Sequence, residues 1–385
     1  MLPFTNMSGD PEQEYFADGL VEDLITNLSK NSGLFVIARN STFVYKGKAV
    51  DIRTVARELG VRYVLEGSVR RSASRLRITG QLIEGAAGTH VWADKFEGPL
   101  EDIFDLQDRL TESIAGAIEP SLRRAEIDRA RRKRPDSLDA YDLYLQALPY
   151  AYANTPVDTD EALRLLRESL RLDPNQPVAH AYAAWCLEQR YFRGGFHPED
   201  KEAALDHART SLASDDPQAL SIAAFARYHL AHDYESADAA LTRALAMNGN
   251  SALAFGFSTL VNVSVDPERA IDHAQKALRL SPFDPLNYHP YCALGLAYLF
   301  TGRAEESLGY LNLAIQSNPS FFLLYALLAA SLVELGRLDA AQAAIKRLLE
   351  AAPGFTVGAF VRMNLWNPGV MEALAAALSK AGLPA

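Results

Sequence analysis

The chain has 385 residues, 49% of them hydrophobic and 22% charged, and a formal net charge of −10. That balance indicates packed domains, more than one in number, and excludes a chain built mainly to hold nucleic acid. Two cysteines, Cys186 and Cys292, exclude a disulfide framework and fit a reducing compartment.

No apolar run approaches the roughly 18–20 residues of a membrane span, and the first residues lack a signal-peptide core, so the cytoplasm is the expected location. Met1-Leu2-Pro3-Phe4 reads as the end of a strand, followed by a polar turn at Ser8-Gly9-Asp10-Pro11. Phe16, Leu20, Leu24 and Leu28 form one helical stripe, with Asp18 or an upstream polar residue as cap and Gly33 as stop. Leu34-Phe35-Val36-Ile37-Ala38 reads as a short buried strand. A helix over residues 52–59 buries Ile52, Val55, Ala56 and Leu59 and ends at Gly60. Tyr63 to Arg71 makes a strand. Leu76, Ile78, Gly80 and Leu82 then alternate with polar residues as a half-exposed strand, and Gly85 and Gly88 turn the chain into residues 90–96. A helix over residues 100–118 presents Ile103, Leu106, Leu110, Ile114 and Ile118 to the core. The expectation is an α+β domain over residues 1–120, an antiparallel or mixed sheet with helices on one side.

Four runs in this region carry a family resemblance: residues 2–19, Val36-Ile37-Ala38-Arg39-Asn40-Ser41, Tyr63-Val64-Leu65-Glu66-Gly67-Ser68-Val69-Arg70 and Trp92-Ala93-Asp94-Lys95-Phe96. They resemble the TolB-amino-terminal-like domain that precedes tetratricopeptide repeats in bacterial signalling proteins. The likeness is greatest to the carboxy-terminal half of class III adenylate/guanylate cyclases. It implies a regulatory half whose output domain, a cyclase or a winged-helix DNA-binding domain, lies upstream. The metal-binding aspartates of a cyclase belong to such an upstream domain.

Residues 121–136 read as a basic helical linker. Arg123, Arg124, Arg129, Arg131, Arg132, Lys133 and Arg134 sit there against only Glu126 and Asp128. The run is either a site for an anionic partner or a solvated helix end stopped by Pro135, its cations well placed at the helix C-terminus. No aromatic residues interleave with the arginines as nucleic-acid stacking requires.

From residue 137 to 385 the pattern is helical. Gly302, Ser307 and Pro319 recur 34 residues on as Gly336, Ala341 and Pro353, the period of the tetratricopeptide helix-turn-helix repeat. Small residues at the close-contact position recur at Ala162, Ala204, Ala237, Ala270, Ser307 and Ala341. The longer first and fourth intervals predict insertions near residues 191–198 and 282–290 that project from the solenoid. Asn367 and Pro368 start a last helix that caps the array through Val370, Met371, Leu374 and Leu378. The first helices, residues 251–265, 284–301 and 320–336, contain no Lys or Arg and are expected to line a concave groove. Phe255, Asn262, Leu296, Phe300, Phe322 and Tyr325 are its candidate contacts, suited to an apolar partner such as an amphipathic helix. The alternative is that they pack between helices.

The search for chemistry yields little. Glu22-Asp23 and Glu101-Asp102 are adjacent on helices, where side chains point apart. His229 and His232 lie three apart, but His232 falls in a turn and no cysteine completes a ligand set. His90 reads as a strand-face residue. No phosphate loop, HExxH or GxSxG motif occurs, and no cofactor or metal is expected. Arg39, Asn40, Ser41 and Lys46 form a polar, basic segment that either binds a small anion or docks a partner domain, or serves as a turn and cap cluster. The expected function is a non-catalytic regulatory scaffold that binds protein partners or a fused output domain, or self-associates. The alternatives are the regulatory portion of a nucleotidyl cyclase and the sensor half of a winged-helix regulator.

Overall fold

The computed structural model describes residues 1–385 except 9, 11–12, 31–33, 73–74, 100–102, 134–137 and 283, and of residues 13, 71–72, 99 and 103–110 it describes the backbone alone. Gly9, Pro11, Gly33, the Glu101-Asp102 pair, Arg134, Pro135 and the side chains of Ile103, Leu106 and Leu110 therefore lie outside the described residues. The chain divides into two compact units, residues 1–126 with 279–282, and residues 127–278 with 283–385.

In the first unit, Leu2 donates its backbone N–H to the Leu65 carbonyl at 2.8 Å, and the chain continues into β1 (Thr5–Asn6). β1 runs parallel to β2 (Tyr63–Ser72), with Thr5 opposite Ser68. β2, β3 (Arg75–Glu84) and β4 (Thr89–Pro99) follow as an antiparallel meander, so the four-stranded sheet has the order β1-β2-β3-β4. The alternation read along β3 holds, with Leu76, Ile78, Gly80 and Leu82 buried. On that face lie Phe16, Leu20 and Leu24 of α1 (Gln13–Ser29), which pack with Phe4, Leu65, Val69 and Ile78 into one core. A four-residue helix α2 (Arg39–Thr42), a 3-10 turn (Phe43–Tyr45) and α3 (Ile52–Leu59) complete the connection from α1 to the sheet. Val55 and Ala56 of α3 form a smaller cluster with Leu2 and Val64. Gly60 ends α3 with a φ of 64°, a conformation a side chain disfavours.

Two local expectations are corrected. Residues 34–38 form no strand: they have no ladder partner, and Phe35 is 91% exposed. An apolar run becomes a strand only where another strand offers a matching row of donors and acceptors. Asp18 is no cap, because it lies inside α1 and its carboxylate takes Lys46 instead.

Helix α4 (Ile103–Arg132) continues through Pro120, so residues 121–132 are part of one long helix. Ile114 and Ile118 enter the core of the first unit, and Ile127 and Ala130 that of the second. The second unit is otherwise an antiparallel series of hairpins. These are α5 (Ala140–Ala153) with α6 (Pro156–Leu172), α7 (Pro177–Arg193) with α8 (Pro198–Leu212), and α9 (Pro217–Ala231) with α10 (Tyr234–Met247). Then come α11 (Ala252–Asn262) with α12 (Pro267–Leu280), α13 (Tyr288–Phe300) with α14 (Ala304–Ser317), and α15 (Leu323–Glu334) with α16 (Leu338–Ala351). α17 (Val357–Met363) and α18 (Pro368–Lys380) close the chain, with Met371, Leu374 and Leu378 buried and the Asn367 side chain capping α18.

The small residues read from the sequence do what the period requires. Ala162, Ala204, Ala237, Ala270, Ser307 and Ala341 are all buried, one per second helix. Gly302 closes α13 with a φ of 74°: its N–H meets the Leu299 carbonyl at 3.1 Å, while Arg303 N–H meets Tyr298 at 2.8 Å. Gly336 repeats the pair after α15, to Val333 at 3.0 Å and Leu332 at 2.8 Å. Both are Schellman closures, which need a residue free to adopt positive φ.

Gly67 faces Gly80 across β2 and β3, and a Cβ there would lie 2.5 Å from the Thr79 carbonyl oxygen and 2.6 Å from the Phe4 ring. Because one of those atoms is backbone, the neighbour cannot rotate away. Gly67→Ala is expected to lower the stability of the chain by about 1–3 kcal/mol, read as a lower urea midpoint. An unchanged midpoint refutes the close contact.

Candidate functional site

Apolar composition on every side of a helix leads to burial on every side, and the inner helices of the array follow this rule. Residues Leu253–Asn262 of α11 are buried throughout, as are Leu323–Leu327 of α15. Of the candidate groove residues, Phe255, Asn262, Leu296, Phe322 and Tyr325 are buried and Phe300 is half-buried against Trp366. Asn262 donates to the Ser258 carbonyl at 2.9 Å and accepts from the Tyr234 hydroxyl at 2.9 Å. Tyr325 donates to the Pro319 carbonyl at 2.9 Å. These side chains pack between helices.

What fills the inner side is the array itself. Near residues 191–198 the sequence suggested a projecting loop. Instead α7 is extended to Arg193, and Phe192 and Phe196 are buried. Arg193 donates to the Asn154 carbonyl at the end of α5, and its guanidinium lies 5.3 Å from the Phe322 ring and 6.0 Å from the Phe321 ring. Asn318 and Ser320, before α15, donate to the carbonyls of Tyr152 and Ala153 at 3.3 and 2.7 Å. The first hairpin thus meets the fifth and sixth. Phe196 is in turn covered by the Arg362 guanidinium at 4.5 Å.

Inside this closure lies a cluster that the sequence did not reveal. His229 Nδ1 is 2.7 Å from the Glu188 carboxylate, and both residues are nearly excluded from solvent. His229 stacks on Phe225 with centroids 4.1 Å apart. His289 sits among Tyr288, Phe257, Trp185 and Phe225 at centroid distances of 4.1–5.8 Å. Burial, with a smaller push from the nearby His229, pulls His289 down to about 3, so its ring is neutral at ordinary pH. Burial likewise pulls Arg193 down to about 10, still a cation at pH 7. The signal available in the sequence was Glu188 at the end of the apolar run Ala183–Leu187 and His229 between Tyr228 and Leu230. His229 and His232 do not converge: His232 caps α9 with a φ of 55° and approaches Asn364 at 3.3 Å.

The basic segment of the first unit is matched by acids. Lys46 reaches Asp18 at 2.6 Å and Glu14 at 2.8 Å, while Arg39 lies 3.9 Å from Asp18 and 3.7 Å from Glu22. Glu14, Asp18 and Glu22 repeat every four residues on one face of α1, a spacing that aligns them. Asn40 and Ser41 are exposed in α2. Of the linker cations, Arg123 pairs with Glu119 at 2.8 Å, and Arg132 donates to the Asp128 carbonyl at 3.1 Å. Lys133 pairs with Asp142, which Arg129 also approaches at 3.0 Å. Burial pushes the Asp142 carboxyl up, but Lys133, the Asp139 amide and Arg129 together hold it below its ordinary value. Arg124 and Arg131 are exposed. Among the described residues no group of three or more His, Cys, Asp or Glu gathers to hold a metal, and no helix is long and apolar enough to cross a membrane.

A buried neutral histidine makes stability depend on pH. Below the ordinary value of 6.5 the unfolded chain takes a proton on His289 that the folded chain refuses until about pH 3. The contribution is complete above pH 6.5 and declines as pH falls, with about 2 kcal/mol lost by pH 5. His289→Phe should flatten the plot of unfolding free energy against pH between 6.5 and 5 by nearly one proton. Parallel plots for the two proteins rule out the neutral buried ring.

Comparison with known proteins agrees with the repeat reading. Residues 288–321 and 323–355 match the family model of the tetratricopeptide repeat. Over 217 residues the chain is 46% identical to the protein named "Putative adenylate cyclase 3" of Rhizobium meliloti (strain 1021), a match covering 56% of this chain and 37% of that protein. The chain thus spans little more than a third of this curated relative. Among solved structures, the hetero-tetramer Cut9-Hcn1 of APC/C is similar over 73% of this chain and 49% of that one, at 15% identity and a TM-score of 0.46. A tetratricopeptide repeat protein from Parabacteroides merdae ATCC 43184 is similar over 63% of this chain and 91% of that one, at 18% identity and a TM-score of 0.35. The second unit of this chain is a tetratricopeptide-like solenoid preceded by a small mixed sheet with helices.

Proposed function

We propose that the chain is the regulatory, non-catalytic portion of a cytoplasmic nucleotidyl-cyclase signalling protein. In this reading the repeat array holds a protein partner or the output domain, and the first unit is a sensor or docking module of the TolB-amino-terminal-like kind. The observation that carries it is the 46% identity to a protein named as an adenylate cyclase, of which the chain spans 37%. The burial of the inner helices supports a refinement. With Phe255, Leu296, Phe322 and Tyr325 enclosed, a partner meets the outer helices and the loops, where the exposed charge lies. The acidic neutralisation of Arg39 and Lys46 supports docking of a polar protein surface over capture of a free anion, because Glu14, Asp18 and Glu22 outnumber them.

The test joins the catalytic domain of the Rhizobium relative to this chain and compares cyclic-nucleotide formation with that domain alone. At least a threefold change in rate on fusion is expected, with none formed by this chain alone. Identical rates with and without the chain, or turnover of ATP or GTP by the chain itself, refute the reading.

A further inference from the structure

Helices α7 and α8 carry two half-buried histidines that the regulatory reading does not use. His180 Nδ1 and His207 Nδ1 lie 2.7 Å apart, with ring centroids at 5.0 Å. His180 Nε2 lies 2.9 Å from the carbonyl oxygen of Pro174. A carbonyl only accepts, so Nε2 of His180 carries the proton and its Nδ1 presents a lone pair. His207 then donates its Nδ1–H across the gap. Burial first, and His180 second, pull His207 down to about 4, so at neutral pH its ring is uncharged. Both rings line a groove of about 460 Å³ floored by Leu163, Ala183 and Leu187, with Arg167 at its edge.

We propose that His180 and His207 form a two-imidazole site for a divalent first-row transition ion, bound through both Nδ1 atoms with its remaining positions open to the groove. Nδ1 atoms 2.7 Å apart with centroids at 5.0 Å set the two rings end to end. Bonds of about 2.0–2.1 Å to one ion therefore require each ring to swing by roughly 45° until both lone pairs meet beside the line that joins them. On binding, the His207 proton moves from Nδ1 to Nε2, so the ring stays neutral and no charge is lost. The Pro174 carbonyl already holds His180 in the tautomer the ion needs, as outer partners of metal-bound histidines do. Asp200, in the same groove, is held by Arg190 at 2.5 Å and is not free to join. Glu199, which lines the same groove, or water completes the coordination. Affinity for such a nitrogen pair rises from Ni²⁺ to Cu²⁺ and falls again at Zn²⁺.

The test titrates Cu²⁺, and separately Zn²⁺, into the chelator-stripped full chain by calorimetry, with electron paramagnetic resonance on the Cu²⁺ form. The chain has eight histidines, so His90→Gln/His197→Gln serves as control. One saturable equivalent with hyperfine coupling to two nitrogens is expected. His180→Gln and His207→Gln should each weaken it at least tenfold, while the control keeps it. Coupling to one nitrogen or none in the parent overturns the proposal even if a variant fails to fold, and so does parent-like affinity in either folded variant. Because the measurement needs no cyclase domain, its outcome is independent of the regulatory reading.

Discussion

At the end of α5 the carbonyls of Tyr152, Ala153 and Asn154 have no helical N–H left to receive, and burying them unpaired costs free energy. Asn318, Ser320 and Arg193 supply the donors from parts of the chain far away in sequence. The rest of the array is arranged around that meeting. Much of each inner helix between those two points is buried, so a polar side chain there needs a partner. Glu188 and His229 are tolerated there because each satisfies the other, and His289 is tolerated because it stays uncharged.

The same closure bears on the two readings of the inner wall, a groove or packing between helices, that the sequence left open. Absence of Lys and Arg from residues 251–265, 284–301 and 320–336 suggested a groove suited to apolar ligands. Helices apolar on all sides carry a plainer message, burial on all sides, and Phe255, Leu296 and Tyr325 obey it. What no periodicity discloses is that α7 would extend to Arg193 and turn Phe192 and Phe196 inward. An interval longer than the repeat says that residues are extra, and is silent about which way they fold.

Other features were legible because their cause is local. Gly302 and Gly336 stop helices by a backbone conformation that few other residues adopt cheaply, and the buried alanines mark where two helix axes come close. The alternation along β3 needed only its own pleat. Residues 34–38 failed as a strand because strandedness belongs to a pair, and apolar side chains do not supply the second member. The basic segment is intermediate: Glu14, Asp18 and Glu22 align on α1 by helical spacing, yet their pairing with Arg39 and Lys46 depends on where the chain returns after residue 33.

The two thiols give the enclosed interior a chemical consequence. Cys186 on α7 and Cys292 on α13 are both buried and unbridged. Burial pushes both thiols up, Cys292 to about 12. The reactive species of cysteine is the thiolate, so peroxide, disulfide reagents and alkylators find almost none while the hairpins stay together. Reagent uptake at these two sulfurs thus becomes a clock for how often the packed hairpins breathe open, with no dye or tag added to the molecule.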